Sequence, residues 1–419
     1  MTLPRFSLLF ALLFVLPLGV QAQQIEQTAD GFVATVNRTF AVDPGGTLDL
    51  RARNGSITVT GGARSEVVVE ETIRFDGASR EEVTQYLDEK ATSYEHTDGT
   101  VRVRGGEDDG DGWSWWGGSG DDVQYRYVVQ VPRRFNATLR TSGGSLSITN
   151  LEGTVEGRTA GGSVTTERIT GPVDVQTAGG SLTLREIDGS VEGETAGGSV
   201  EVASANGPVD VRTAGGSIRV TDAGGDVTAE TAGGSIEVDS VAGALDANTS
   251  GGDVVVGRVT GAVRAETSGG DIELTDLGGT ISAETSGGDI EGENLRGAVT
   301  ARTSAGDVQL RGVAAPVTAE TSVGDVSVEV VGTERSADPL LRLTTSHGDI
   351  ELTLPSSLRA SIRAEVEGSG GDEIRSDVPL TREGGDGAPL RATGPMNGGG
   401  PAIELETRGG SIRLRTHSP

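Results

Sequence analysis

The feature that most constrains this 419-residue chain is an 18-residue repeat that runs without insertion from residue 141. Each 18-residue unit consists of two nine-residue segments, and in each segment a glycine and one spacer precede apolar residues that alternate with polar ones. In one representative unit the apolar residues are Ile272 and Leu274, then Ile281 and Ala283. Alternation with period two predicts β-strands that bury one face. Successive repeats begin at Thr141, Thr159, Thr177, Thr195, Thr213, Thr231, Thr249, Thr267, Thr285, Thr303 and Thr321.

A single repeat is too short to bury its own apolar face, so neighbouring repeats must stack on one another. Stacking aligns equivalent residues in aliphatic columns, of which the first is Val164, Leu182, Val200, Ile218, Ile236, Val254, Ile272, Ile290, Val308 and Val326. A second column is Val173, Val191, Val209, Val227, Leu245, Val263, Ile281, Val299 and Val317. We therefore predict an all-β fold: a two-layer parallel β-solenoid of 18-residue coils, paired in register at a spacing of ~4.8 Å.

Two other solenoids with coils of this length fit the sequence less well. A left-handed hexapeptide helix needs an aliphatic residue at every sixth position, but stepping by six from Ile272 reaches Gly278 and Glu284. A calcium β-roll needs Gly-x-Asp after its glycine pair, where this chain has Ile272, Glu273 and Leu274. The sequence therefore disfavours both the hexapeptide helix and the calcium β-roll.

Glycines mark the predicted corners between strands. The fourth position of the repeat is glycine from Gly162 to Gly324, whereas the third position changes to Ala305 and Val323 in later coils. A corner needs a positive φ or a close approach of two backbones, and glycine permits both. We predict that only the second glycine of each pair is conformationally required.

Residues 1–22 have the pattern of a secretory signal peptide. Arg5 is followed by an apolar run from Phe6 to Leu18, and small residues precede Gln23. The run is too short to cross ~30 Å of hydrocarbon, which disfavours a transmembrane anchor as the alternative. We predict export to the periplasm, the outer surface or the medium, and no membrane span in the mature chain.

Charge and cysteine content narrow the possible partners. The chain has 62 acidic and 34 basic residues, a net charge of −28, and no cysteine. Such a surface repels the phosphates of nucleic acids and of anionic lipids, so neither is an expected partner. Without cysteine, the protein gains no stability from disulfides.

The segments on either side of the repeat predict a cap at each end. Residues 23–140 contain divergent coils and a capping box, Ser79 with Glu82, that opens one short helix with Val83, Tyr86 and Leu87 on its apolar face. An acidic loop follows between Gly105 and Asp122. Residues 141–331 form the regular solenoid, and residues 332–419 form irregular coils that cover its end.

Several segments together resemble a known family. They are Gly45-Gly46-Thr47-Leu48, Asn54-Gly55-Ser56-Ile57, Val131-Pro132, the Thr-Ser-Gly-Gly-Asp coils, and Asn397–Pro401 followed by Glu406–Ile412. This combination is similar to the bacterial domain-of-unknown-function family labelled "putative adhesin". The resemblance covers nearly all of the mature chain and implies a β-solenoid of the cell envelope or the medium with no established activity. The acidic tryptophan loop and the uniform central coils depart from the family pattern.

The sequence offers no recognisable catalytic constellation. His96, His347 and His417 lie far apart, and none has a second ligand at metal-binding spacing. Nucleophile elbows, phosphate-binding loops and dinucleotide fingerprints are absent from the sequence. We therefore predict no catalytic residues and no cofactor. The enzyme alternative, cleavage of a polysaccharide, requires long loops and paired carboxylates, and the central coils contain no long loops.

The fifth position of the repeat changes from serine to aspartate along the chain. The serines are Ser145, Ser163, Ser181, Ser199, Ser217 and Ser235, and the aspartates are Asp253, Asp271, Asp289, Asp307 and Asp325. Stacked carboxylates repel one another by roughly 1 kcal/mol per neighbouring pair in water, and a divalent cation such as calcium would remove that repulsion. One hypothesis is therefore a row of metal sites. The alternative is that each side chain accepts backbone N–H groups at a corner.

The three tryptophans of the chain, Trp113, Trp115 and Trp116, lie together in the acidic loop. Exposed indoles would form a platform that binds sugar rings or a partner protein. Indoles that fold back would instead cover one side of the solenoid. Both readings remain open from the sequence.

These observations favour a non-enzymatic, structural or adhesin-like element of the bacterial envelope, with a cell-surface polysaccharide or an envelope protein as partner. The alternatives from other classes are a polysaccharide-active enzyme and a calcium-responsive secreted binding module.

Overall fold

The computed structural model describes residues 22–105, 123–332, 340–368, 373–385 and 388–418. The predicted signal peptide, apart from Ala22, and the three tryptophans lie outside these residues. The elements before the repeat are β1 (Ala22–Gln27), β2 (Gly31–Ala41), β3 (Thr47–Ala52), β4 (Ser56–Gly62), β5 (Glu66–Asp76), α1 (Arg80–Glu89), β6 (Ser93–Thr97), β7 (Thr100–Gly105) and β8 (Val123–Pro132).

The repeat consists of short strands that alternate between two sheets. The strands of the first half are β9 (Asn136–Thr141), β10 (Leu146–Glu152), β11 (Val155–Thr159), β12 (Val164–Thr170), β13 (Val173–Thr177), β14 (Leu182–Asp188), β15 (Val191–Thr195), β16 (Val200–Ala205), β17 (Val209–Thr213), β18 (Ile218–Ala223), β19 (Val227–Thr231) and β20 (Ile236–Val241). Those of the second half are β21 (Leu245–Thr249), β22 (Val254–Val259), β23 (Val263–Glu266), β24 (Ile272–Thr275), β25 (Ile281–Glu284), β26 (Ile290–Glu293), β27 (Val299–Arg302), β28 (Val308–Val313), β29 (Val317–Val323) and β30 (Val326–Val330).

The chain continues in eight further strands. They are β31 (Leu341–His347), β32 (Ile350–Pro355), β33 (Ala360–Val366), β34 (Ile374–Ser376), β35 (Thr381–Gly385), β36 (Ala388–Met396), β37 (Ala402–Thr407) and β38 (Ile412–His417). The coil formed by β31 and β32 stacks on the regular coils, because Leu341 pairs with Val317 and Ile350 pairs with Val326. The strands β37 and β38 add one more coil beyond it.

The strand pairs confirm the predicted parallel solenoid. Ile272 in β24 pairs with Val254 on one side and Ile290 on the other, so each residue lies beside its equivalent one repeat away. The first sheet runs β1, β2, β5, β8, β4, β10, the even-numbered strands from β12 to β32, β38 and β34. The second runs β6, β7, β3, β9, the odd-numbered strands from β11 to β31, β37, β33, β36 and β35.

The core is the thin aliphatic layer between the two sheets. Residues of the first predicted column are at most 1% exposed, and those of the second are at most 3% exposed. The inward positions of the second sheet also carry a column of small residues, Ala229, Ala247, Ala265, Ala283, Ala301 and Ala319. Because methyl groups fill little space, the two layers approach closely along this column.

Antiparallel strands cover each end of the parallel stack. At the start, β1, β2, β5 and β8 pair antiparallel in the first sheet. At the end, β33, β36 and β35 pair antiparallel in the second. Such caps block the coil edges that would otherwise pair with another chain.

The predicted short helix is α1. The Ser79 hydroxyl accepts the N–H of Glu82 at 3.3 Å, and the Glu82 carboxylate accepts the N–H of Ser79 at 2.7 Å, which completes the capping box. Val83 and Leu87 are buried, and the Tyr86 ring meets Phe75 of β5 edge to face at 5.2 Å. The helix therefore packs on the antiparallel strands at the start of the solenoid. Among the described residues, none of the helices is of a length and apolarity that would let it span a membrane.

Candidate functional site

The corner at the start of each coil is held by its threonine. The Thr267 hydroxyl donates to the Gly252 carbonyl of the preceding coil at 2.8 Å and accepts the N–H of Gly270 at 3.2 Å. The donation to the preceding coil recurs at every repeat threonine from Thr141 to Thr321, at 2.7–3.0 Å. Sequence reasoning used these threonines only to mark the repeat. Their constancy at a corner was the signal that their hydroxyls hold the coils together.

The second glycine of each pair lies where two backbones nearly touch. A Cβ added at Gly270 would be 2.1 Å from the Gly252 carbonyl oxygen, whereas one at Gly269 would be 3.7 Å from its nearest neighbour. In most of the regular coils close approach, rather than a positive φ, therefore makes the fourth position glycine. The geometry agrees with the prediction that only the second glycine is required.

The tenth position of the repeat adopts left-handed backbone in residues that are not glycine. These residues are Asn150, Arg168, Glu186, Ser204, Asp222, Ser240, Arg258, Asp276 and Asn294, with φ between 48° and 64°. Asparagine and aspartate, at four of these nine positions, favour such a conformation and were the available signal, whereas arginine, glutamate and serine do not favour it, and sequence reasoning missed the bend. The register of the stacked strands imposes it.

The aspartate column is exposed and bonded to the backbone. The N–H of Asp289 donates to Oδ1 of Asp271 at 2.8 Å, and the N–H of Asp307 donates to Oδ1 of Asp289 at 2.7 Å. Where the column changes, the N–H of Asp253 donates to the Ser235 hydroxyl at 3.2 Å. One oxygen of each carboxylate thus carries the bond that serine carries in the first half, as the corner alternative expects. The cation hypothesis for Asp253, Asp271, Asp289, Asp307 and Asp325 stays a prediction.

A shallow groove of about 590 Å³ lies beside the corners of the later coils, between Asn248 and Thr344. Serines at the second position of the repeat line one wall: Ser268, Ser286, Ser304 and Ser322. Residues at the last position of the repeat line the other: Asn248, Glu266, Glu284, Arg302 and Glu320. The repeat threonines lie between the two walls. In the first half the second position is Ser142 in the first coil and alanine in the next five, at Ala160, Ala178, Ala196, Ala214 and Ala232.

The serine wall was not predicted from the sequence. Its signal was a double change: alanine becomes serine at the second position in the same coil in which serine becomes aspartate at the fifth, between Ala232 and Ser250. Only the change at the fifth position entered the predictions above.

A second unpredicted cluster lies in the N-terminal cap around Glu71, which is 1% exposed. The hydroxyls of Thr92, Tyr94 and Tyr127 donate to its carboxylate, that of Tyr127 at 2.8 Å. Tyr125 stacks on Tyr127 at 6.2 Å and shares a 2.7 Å hydrogen bond with Tyr86. The signal was the alternation along β5, which places Glu71 on the inward face.

Three tyrosines of this cluster, Tyr94, Tyr125 and Tyr127, are held in their neutral form. Burial, together with the charge of Glu71, raises the pKa of Tyr94 and Tyr127 far above its usual range. Burial and the hydrogen bond with Tyr86 likewise raise the pKa of Tyr125. The carboxylate with its three hydroxyl donors is therefore a buried polar network that is satisfied without a cation.

The three histidines are not brought together in one site. His417 lies at the end of β38, where its Nε2 is 3.0 Å from the Val330 carbonyl oxygen, and His347 lies at the end of β31. His96 lies in β6, the strand at the N-terminal edge of the second sheet. Within the described ranges, no three or more His, Cys, Asp or Glu residues form a group that could hold a metal ion. The tryptophan platform falls on residues that the structure does not describe, so it stays a prediction.

One family model matches part of this chain, and two solved structures align with it. Residues 225–353 match the model of a family described as Toastrack DUF4097, which confirms the likeness to a domain-of-unknown-function family. A solved structure named as a putative cell adhesion protein from Clostridium sporogenes is 10% identical, covers 91% of this chain and 99% of its own, and has a TM-score of 0.18. A putative adhesin from Bacteroides fragilis is 9% identical over 76% of this chain and 95% of its own, with a TM-score of 0.20. No curated protein matches the sequence.

Proposed function

We propose that this protein is an exported, non-enzymatic β-solenoid that serves as a structural or adhesin-like element of a bacterial cell envelope. The observation that carries the proposal is the surface of the repeat, where exposed polar residues recur at equivalent places in most coils. Such a surface suits many weak contacts with a partner that is itself extended and repetitive.

Ion pairs between coils cross this surface. Arg302 reaches Glu320 of the next coil at 3.0 Å and Glu284 of the preceding coil at 3.5 Å, and Arg185 reaches Glu201 of the next coil at 2.8 Å. In the groove, Arg302 thus holds two carboxylates that an enzyme on polysaccharides would need as acid and base. This pairing favours a binding surface over a catalytic one.

Export is the first part of the proposal to test. The tagged protein is expressed in the producing bacterium, the cells are fractionated, and the mature N-terminus is determined by mass spectrometry. We expect an N-terminus near Gln23 and recovery outside the cytoplasm. The control is Leu13→Arg, which places a charge in the apolar run and should retain the uncleaved chain in the cytoplasm. A wild-type chain that stays cytoplasmic and uncleaved would overturn the proposal.

Adhesion is the second part. The purified chain from residue 23 onward is mixed with isolated envelopes of the producing bacterium at physiological salt, and the sedimented fraction is measured. We expect saturable sedimentation that an excess of unlabelled protein displaces. Recovery of all the protein in the supernatant would contradict an adhesin-like role.

A further inference from the structure

The serine wall of the groove consists of hydroxyl groups that nothing in the described structure uses. Ser268, Ser286, Ser304 and Ser322 are exposed, and their hydroxyls have no hydrogen-bond partner among the described residues. The neighbouring threonines differ, because their hydroxyls are committed to the corners. The groove therefore offers a row of free donors and acceptors that repeats at the coil spacing of ~4.8 Å.

The opposite wall carries charges that are already paired. Arg302 lies between Glu284 and Glu320, as described above, and Glu266 is bonded by Arg264 and by the Asn248 amide. A charged ligand would have to displace these partners, and a polyanion would also meet the net charge of −28. An uncharged ligand that is rich in hydroxyls meets neither obstacle.

A peptide strand fits the groove poorly. The backbone groups along its floor pair from coil to coil, as the N–H of Thr267 does with the Glu284 carbonyl at 3.0 Å and the N–H of Thr285 with the Arg302 carbonyl at 2.9 Å. No sheet edge is open here for an added strand, which is the usual way to bind an extended peptide. A ligand in the groove would therefore be bound by side-chain hydroxyls and carboxylate oxygens, which recur from coil to coil.

We propose that this groove binds an extended, uncharged polysaccharide that lies along the solenoid axis. One pyranose ring is close in length to the spacing of the coils, so successive sugars meet successive serines. The inference rests on the proposed function and gives the class of its partner. At Ala232 and in the four coils before it, the second position of the repeat carries a methyl group instead of a hydroxyl.

The first half of the repeat supplies a variant that should fold. The variant combines Ser268→Ala, Ser286→Ala, Ser304→Ala and Ser322→Ala. Each substitution places at the second position of a later coil the alanine that five earlier coils already carry there. The matched control is Ser147→Ala with Ser327→Ala, which removes hydroxyls from β10 and β30 outside the groove lining. Thermal unfolding that is unchanged in both variants establishes that any loss of binding comes from the hydroxyls.

The probes are hydroxyethyl cellulose and glucomannan as neutral polymers and polygalacturonate as an anionic one, in native affinity electrophoresis of the chain from residue 23 onward. Cellohexaose and cellobiose are compared by calorimetry. We expect the wild type and the control to bind the neutral polymers, and cellohexaose to bind more tightly than cellobiose. The fourfold serine variant should bind at least about tenfold more weakly than the wild type.

Absence of binding to both neutral polymers, binding of polygalacturonate alone, or equal binding by the fourfold variant would overturn the groove proposal. These results are distinct from failure of the proposed function. If the fourfold variant still sediments with isolated envelopes as the wild type does, the adhesin-like role stands and its partner, a protein included, binds elsewhere. If the wild type itself fails to sediment, the proposed function fails first.

Discussion

The hydroxyl of Thr267 lies 2.8 Å from the carbonyl oxygen of Gly252, and this bond ties one coil to the coil before it. Thr267→Val keeps the shape of the side chain but leaves this carbonyl and the N–H of Gly270 without their partner. We expect the free energy of unfolding to fall by roughly 1–3 kcal/mol, as measured by chemical denaturation. Thr228→Val, on the outer face of β19, is the control and should change it by less than about 0.5 kcal/mol. Equal effects of the two changes would mean that the corner bond contributes nothing.

The two glycines of one corner should differ sharply in their tolerance of alanine. In Gly270→Ala the new Cβ would lie 2.1 Å from the Gly252 carbonyl oxygen, so the coils must separate locally. We expect a loss of more than about 3 kcal/mol of stability, or loss of the folded state. Gly269→Ala is the control, because its Cβ meets nothing closer than 3.7 Å and the chain itself has Ala305 at this position. A tolerated Gly270→Ala would disprove the close approach of the backbones.

Glu186 has a φ of 52° and makes no side-chain hydrogen bond among the described residues. Left-handed backbone costs an ordinary residue roughly 1–2 kcal/mol, and glycine avoids that cost. We expect Glu186→Gly to raise the melting temperature, with a gain of about 0.5–1 kcal/mol after the entropy of glycine is offset. Glu194→Gly removes the same charge from strand β15 and should lower it. Destabilisation of similar size at both sites would refute this account.

The architecture could be predicted because one periodicity carries it. The column through Ile272 and Ile290 needs only alternation and an 18-residue step, and both are visible in the sequence. The capping box at Ser79 and Glu82 is equally local, so its helix was predicted with its correct beginning. Features that depend on one or two neighbouring residues can be predicted from the sequence.

The corners were harder to predict, because their conformation is imposed by stacking. Nothing in the local sequence of Arg168 or Glu186 indicates left-handed backbone, which the register of adjacent coils forces on both. The groove was missed although its two walls are close in sequence, since only Thr285 separates Glu284 from Ser286. Alternation indicates which side chains point outward, but not that stacked coils leave a concave surface between these rows. Glu71 was missed because its three donors come from segments far away in sequence.

The Glu71 cluster predicts a stability that falls in alkali. Since burial raises the pKa of Tyr94, Tyr125 and Tyr127 in the folded state, the unfolded state loses these protons first as the pH passes about 10. The contribution of these tyrosines to stability should therefore be constant below that pH and fall above it, by up to about 1.4 kcal/mol per pH unit for each tyrosine. In Tyr86→Phe, which keeps only these three of the four tyrosines of the chain, tyrosinate absorbance should rise only as the cap unfolds.

Tyr127→Phe tests the same cluster at neutral pH. It removes the 2.8 Å bond to Oε1 of Glu71 and should lower stability by roughly 1–3 kcal/mol, while one tyrosine fewer makes the alkaline decline less steep. Tyr86→Phe, the control, leaves the three donors of the carboxylate in place and should cost less. Tyrosinate absorbance that rises near pH 10 in folded Tyr86→Phe would show that the other three hydroxyls are open to solvent.

Two effects of opposite sign act on each aspartate of the exposed column. Asp289 is repelled by Asp271 and Asp307 one coil away, at about 1 kcal/mol per neighbour in water. Its carboxylate also accepts the N–H of Asp307 at 2.7 Å, a stronger bond than a serine hydroxyl makes, by roughly 1 kcal/mol. Salt screens the repulsion, since the Debye length falls from about 30 Å at 0.01 M to about 3 Å at 1 M.

Asp289→Ser should therefore stabilise the protein slightly at low salt and destabilise it by about 1 kcal/mol near 1 M salt, as followed by chemical denaturation. Ser217→Asp is the control, because serines lie on both sides of it and its effect should vary little with salt. The same pair tests the cation hypothesis. Calcium that bridges the column would raise the melting temperature of the wild type more than that of Asp289→Ser. No rise at millimolar calcium would leave the backbone bonds as the sole role of these carboxylates.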